Sequence, residues 1–147
     1  MIVKEYVMKD MQVALSLEQI RERLAPLYGD SSLQLVLLFG SVASQKTHRG
    51  SDIDLAFLSD KPIDILSLTN RVIRLLHSDN VDVVDLHHAS PLLNYSAART
   101  GKVVYEREPG EFAGFCSLAF RIYADSKKLR DARERAIRGF LASKGLA

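Results

Sequence analysis

The period of apolar and polar positions changes several times along this chain, and each change marks an element. Ser16-Leu17-Glu18-Gln19 has the capping-box arrangement, and Ile20, Leu24 and Leu27 follow at helical spacing until Gly29 stops the run. Leu33 to Phe39 is a continuous apolar stretch of strand length, interrupted only by Gln34. A second strand is expected from Asp52 to Leu58, closed by the turn Ser59-Asp60-Lys61-Pro62. From Ile63 to Leu76 the positions Leu66, Thr69, Ile73 and Leu76 recur at helical spacing, which predicts an amphipathic helix. Val81-Asp82-Val83-Val84-Asp85-Leu86 predicts a third strand. Ser90-Pro91 supplies an N-cap and a first-turn proline, and Gly101 the matching stop, so a helix lies between them. Lys102 to Tyr105 is a short fourth strand.

Past Pro109-Gly110 the helical period runs nearly unbroken to Ser143, through Phe112, Phe115, Ile122, Leu129, Ile137 and Phe140. A helix that long cannot bury its whole length against so small a domain, so part of it is expected to pack on another chain. The order of elements predicts an α+β domain, a mixed α/β sheet with helices packed mainly on one face and a long C-terminal helical segment. The segment joining the first two strands is too short for a standard parallel crossover. Those strands are therefore expected to be antiparallel or sharply diverging, with a short helical turn near Val42 to Gln45. Residues 1–147 are read as a single domain, 1–108 its α/β core and 109–147 a helical extension suited to partner contact.

Composition narrows the class without naming it. The one cysteine, Cys116, cannot form an internal disulfide, which fits a reducing cytoplasm. Met1-Ile2-Val3-Lys4-Glu5 puts charge where a signal peptide needs an apolar run, and no stretch reaches membrane-spanning length. A net charge of +2 is too small to argue for nucleic acid, and no direct nucleic-acid binding is expected. The charge is uneven, however. Eight basic and three acidic residues from Arg121 onward give the tail +5, leaving −3 for the rest.

The candidate chemistry lies between the first two strands. Gly40-Ser41 follows an apolar strand, and Asp52-Ile53-Asp54 opens the next. Residues two apart on a strand share a face, so Asp52 and Asp54 can point at one ion while Ile53 enters the core. Two carboxylates at the mouth of a buried strand repel each other unless a cation or donors compensate. Such a pair suits Mg²⁺, a hard ion that rests on one or two carboxylates plus substrate phosphates. Gly40 lets backbone approach a phosphate closely, the amides of Gly40 and Ser41 can donate to it, and Ser51 is grouped with them. A third carboxylate on a neighbouring strand would admit a second ion about 4 Å from the first. Asp82 and Asp85 are the candidates. Asp82, inside the hydrophobic run, is favoured as third ligand and general base, because Asp85 near the strand end has solvent as a partner.

This constellation resembles the nucleotidyltransferases of the DNA polymerase β superfamily, in which Gly-Ser precedes Asp-x-Asp by about ten residues. Here residues 42–51 supply that separation. More narrowly it is similar to the minimal nucleotidyltransferase (MNT, MntA-like) antitoxins paired with HEPN toxins. The matching stretches are Val81 to Leu86, Ser90 to Leu93, Arg99-Thr100-Gly101, Val104-Tyr105-Glu106 and Tyr123-Ala124-Asp125. The resemblance implies a polymerase β-like fold, ATP as co-substrate, Mg²⁺ as two ions, and Asp52, Asp54 and Asp82 as metal-binding catalytic carboxylates. It implies AMP transfer to a tyrosine of a cognate HEPN ribonuclease, in the cytoplasm. Ser44 and Gln45 depart from the pattern, since relatives often carry a basic residue and then glycine there. The alternatives are an antitoxin that neutralises by binding alone, or transfer to a small molecule such as an aminoglycoside hydroxyl. His87-His88 is expected to be an exposed strand end, and Tyr95, Tyr105 and Tyr123 core or interface residues.

Overall fold

The computed structural model describes residues 15–40 and 52–146. The expected helical turn near Val42, together with Ser41 and Ser51, lies outside the described residues. Helix α1, Leu17–Arg23, starts at a complete capping box: Gln19 N–H donates to Ser16 Oγ, and Ser16 N–H to the Gln19 side chain. Ser16→Ala is therefore expected to cost about 1 kcal/mol, measured by denaturant unfolding. A 3₁₀ turn, Ala25–Leu27, follows. Strands β1 (Leu33–Phe39) and β2 (Ile53–Ser59) come next, then α2 (Ile65–Leu76) and β3 (Val81–Asp85). Helix α3 (Pro91–Thr100) and strand β4 (Lys102–Glu106) complete the core. The chain then enters α4 (Glu111–Asp125) and α5 (Lys127–Ser143).

The strands form one mixed sheet in the order β3-β2-β1-β4. β1 is antiparallel to β2 and to β4, while β2 and β3 are parallel. Of the two arrangements expected for the first two strands, antiparallel or sharply diverging, the structure has the antiparallel one. Alternation along β1 and β2 separates two apolar clusters. Val36, Leu38, Leu55 and Phe57 face the larger one, with Ile20 of α1, Leu24 just past its end, and Val72 and Leu76 of α2. Leu35, Leu37, Phe39 and Ala56 face the smaller one, with Ala97 of α3 and the partly buried Phe112 and Phe115 of α4. The bulk of the core thus lies on the α1–α2 face, and the opposite face carries α3 and α4 as a second, thinner cover.

Cross-links far from the sheet centre hold these layers. Arg21 donates to the carbonyls of Val103 and Val104 at 3.0 Å each, tying α1 to β4, and Arg23 donates to the carbonyl of Leu76 at the end of α2. Arg107 fixes the start of α4 by pairing with Asp60 at 2.5 Å and Glu111 at 2.9 Å while donating to the Ser31 carbonyl. The long C-terminal helix expected from the sequence is divided at Ser126. There the hydroxyl donates to the Tyr123 carbonyl, the competition by which serine bends helices. The i to i−4 backbone bonds nevertheless run through the joint, from Ser126 N–H to Ile122 and from Arg130 N–H to Ser126, both at 3.0 Å. Among the described residues no helix is long and apolar enough to cross a membrane.

Candidate active site

Strand register assembles the site. In the antiparallel pair Phe39 lies opposite Asp54, which puts Gly40, one residue beyond β1, beside that carboxylate. In the parallel pair Asp54 lies opposite Asp82. Directly opposed residues point to the same side, so both carboxylates stand on the face of Phe39 and Ala56, at the rim where α3 and α4 no longer cover the sheet. Ile53, between Asp52 and Asp54, is buried in the opposite cluster, as the two-residue alternation predicts. Asp52 and Asp82 are exposed and Asp54 is half-buried.

Gly40 has φ of +80°, a backbone shape that side chains rarely adopt. A Cβ there would fall on Asp54 Oδ2, 3.2 Å from its Cγ. The missing side chain therefore leaves a hollow that the Asp54 carboxylate fills. The sequence assigns Gly40 only to phosphate approach. Its second role is invisible in local pattern, because the contact crosses a strand pair.

Burial pushes the Asp54 carboxyl above the usual carboxylate range, and the charges of Asp82 and Asp52 push it further. Three acids that feel one another at a strand rim are suited to a compensating cation. Their oxygen-only donors fit a hard ion such as Mg²⁺. Among the described residues no three His, Cys, Asp or Glu side chains are gathered closely enough to hold an ion as they stand.

The description "Polymerase beta, Nucleotidyltransferase" matches residues 18–110, most of the chain and all of this rim. The chain belongs to the polymerase beta nucleotidyltransferase family. Among its relatives, protein adenylyltransferase MntA of Aphanizomenon flos-aquae is 30% identical over 126 residues, spanning 78% of this nucleotidyltransferase and 84% of MntA. MntA of Shewanella oneidensis is 40% identical over 76 residues, 50% of this chain and 54% of its own. A crystal structure of a toxin–antitoxin with AMP-PNP superposes with a TM-score of 0.72 at 28% identity, covering 84% of this chain and 99% of that one. A tri-AMPylated Shewanella oneidensis HEPN toxin in complex with MNT antitoxin gives a TM-score of 0.68 at 25% identity, with the same coverage.

The remaining acids and rings of this nucleotidyltransferase sort by their contacts. Asp82 and Asp85 occupy the reverse of the environments expected for them. Asp82 is the exposed one, and Asp85, only 8% exposed, accepts the His87 N–H at 2.9 Å on Oδ1. Asp85 closes the turn after β3, on the face opposite Asp82. His87 and His88 are exposed, and His87 Nε2 lies 2.9 Å from the Ser59 carbonyl, a turn contact at the far end of β2. Tyr105 stacks on Tyr28 with centroids 4.3 Å apart, and Tyr95 on Tyr123 at 3.9 Å, so all three tyrosines singled out in the sequence are packing residues. A cleft of about 320 Å³, lined by Ser59, Lys61, Asp64 and Arg71 among others, lies at the end of the sheet away from the carboxylates.

Proposed function

We propose that this chain is a Mg²⁺-dependent protein adenylyltransferase antitoxin that moves AMP from ATP to a tyrosine of a cognate HEPN toxin and so neutralises it. The observation that carries the reading is the opposition of Asp54 and Asp82 beside the Gly40 hollow. The named activity of the MntA relatives and the AMP-PNP and AMPylated-toxin complexes supply the substrate and the acceptor class. A cytoplasmic location goes with this reading.

In this scheme Asp52, Asp54 and Asp82 hold the ions, and the backbone amides at Gly40 and Ser41, with Ser51, bind the triphosphate. Bound Mg²⁺ would offset the charge on the reacting phosphate and on the departing pyrophosphate. Asp82, the most accessible member of the opposed pair, takes the proton of the tyrosine hydroxyl. The tyrosine oxygen then bonds to the α-phosphorus in line, and the bond from that phosphorus to the bridging oxygen breaks, releasing pyrophosphate. A neutralising antitoxin that only binds is the second reading, favoured by the exposed helix α5.

Asp82→Asn is expected to reduce transfer of label from α-labelled ATP to the toxin by about a hundredfold or more. Asp85→Asn should leave it within about twofold, since the amide oxygen still accepts the His87 N–H. Equal rates for Asp82→Asn and wild type would rule out the assignment. Full neutralisation of the toxin by Asp82→Asn without label would select the binding-only reading.

A further inference from the structure

Helix α5 is the part of the fold that the catalytic core does not use. None of its residues is buried. Leu129, Ile137 and Phe140 are 73%, 51% and 61% exposed, and with Ala132 and Ala136 they recur every three or four residues, forming one stripe. The spacing continues back through the joint to Ile122 and Leu118 of α4, which are also exposed. Around the stripe lie Lys127, Lys128, Arg130, Arg133, Arg135 and Arg138 against Asp131 and Glu134, a net +4.

Side chains brace the joint between α4 and α5. Tyr123 of α4 stacks on Tyr95 of α3, and the Arg130 guanidinium lies 3.7 Å over the Tyr123 ring. Arg130 also donates to the Tyr123 carbonyl at 2.7 Å and to the Ser126 hydroxyl. This stack sets the direction in which α5 leaves the core. A side chain shared by both sides of a joint resists its bending.

We propose that α5 docks this chain on its HEPN partner, by entering an apolar groove with an acidic rim, as amphipathic helices enter grooves generally. The proposal rests on the function proposed above for the identity of the partner. The charge argues for the occupant: two copies paired symmetrically through this face would set +4 against +4, whereas an acidic rim complements it.

Because α5 buries none of its residues, Ile137→Asp with Phe140→Asp leaves the core intact, which circular dichroism checks. Calorimetric titration of the full-length chain into purified HEPN toxin without ATP should show Kd raised about tenfold or more by this double variant. Arg133→Glu with Arg135→Glu should raise it as well, by a factor that shrinks as salt is added. Saturating toxin should restore the AMP transfer rate of both, so that KM rises and kcat does not. Unchanged Kd in both variants overturns the docking role while leaving adenylyl transfer standing. Arm-dependent toxin binding without any AMP transfer overturns the proposed function and supports the docking. Absence of any binding by the wild-type chain overturns both. Sedimentation showing a wild-type oligomer that the apolar variant dissociates, with toxin affinity unchanged, overturns the proposal in favour of self-assembly.

Discussion

Asp54→Asn is expected to lower AMP transfer by roughly a thousandfold or more, the scale of several kcal/mol of lost charge stabilisation. The same change should leave the melting temperature in chelator unchanged or higher. Asp54 is the member of the acidic group that burial and the charges of Asp82 and Asp52 penalise, so its carboxyl titrates above the ordinary carboxylate range. With the folded value above the unfolded one, the native state binds more protons between the two. Stability therefore falls as pH rises through the folded value and is recovered below it. Asparagine removes that penalty and flattens the dependence. Divalent cation reverses the comparison: Mg²⁺ at a hundredfold excess over Kd would stabilise wild type by about 2.7 kcal/mol and Asp54→Asn much less. Cation binding needs the ionised carboxylate, so affinity should weaken as pH falls through the same raised value. Equal Mg²⁺-induced shifts in the two proteins would remove Asp54 from the metal site.

Gly40→Ala should be nearly as damaging to transfer, by about a hundredfold or more, with a stability cost of about 1–2 kcal/mol for a side chain at positive φ. The larger effect comes from displacement. The new methyl would clash with Asp54 Oδ2, so that carboxylate must move from the place it holds opposite Asp82. Gly110 provides the control, since its φ is +99° and a Cβ there meets nothing within 4 Å. Gly110→Ala should cost stability on the same scale and leave the rate of transfer unchanged at saturating toxin. If the two variants lose transfer equally, backbone strain rather than carboxylate displacement is responsible.

The elements were legible because their signals are local. Ser16 and Ser90 cap helices where the pattern places them, and the strands fall within a residue or so of their apolar runs. The antiparallel pairing of β1 and β2 followed from linker length alone. What escaped depends on neighbours distant in sequence. Leu66, named in the predicted stripe, is 73% exposed, whereas Leu76 of that stripe is buried together with Val72, which lies outside it. A 3.6-residue period fixes that a helix has an apolar stripe, but the neighbouring elements decide which of two adjacent stripes is covered. Asp85 was expected to rely on solvent, yet it is buried and satisfied by the amide of His87. Register sets Asp82, and not Asp85, opposite Asp54, a relation the sequence alone does not contain. The division at Ser126 coincides with side-chain bonds from Ser126 and Arg130 to the Tyr123 carbonyl, which periodicity does not register.

Intact-mass spectrometry of the HEPN toxin, after incubation with ATP and either wild type or a variant with Asp52, Asp54 and Asp82 all changed to Asn, tests the central claim most directly. Wild type should add adenylyl groups to toxin tyrosine only when a divalent cation is present. The triple variant should bind the toxin and add none. Adenylyl addition by the triple variant, or by wild type in excess chelator, would contradict a cation-dependent transfer centred on these carboxylates.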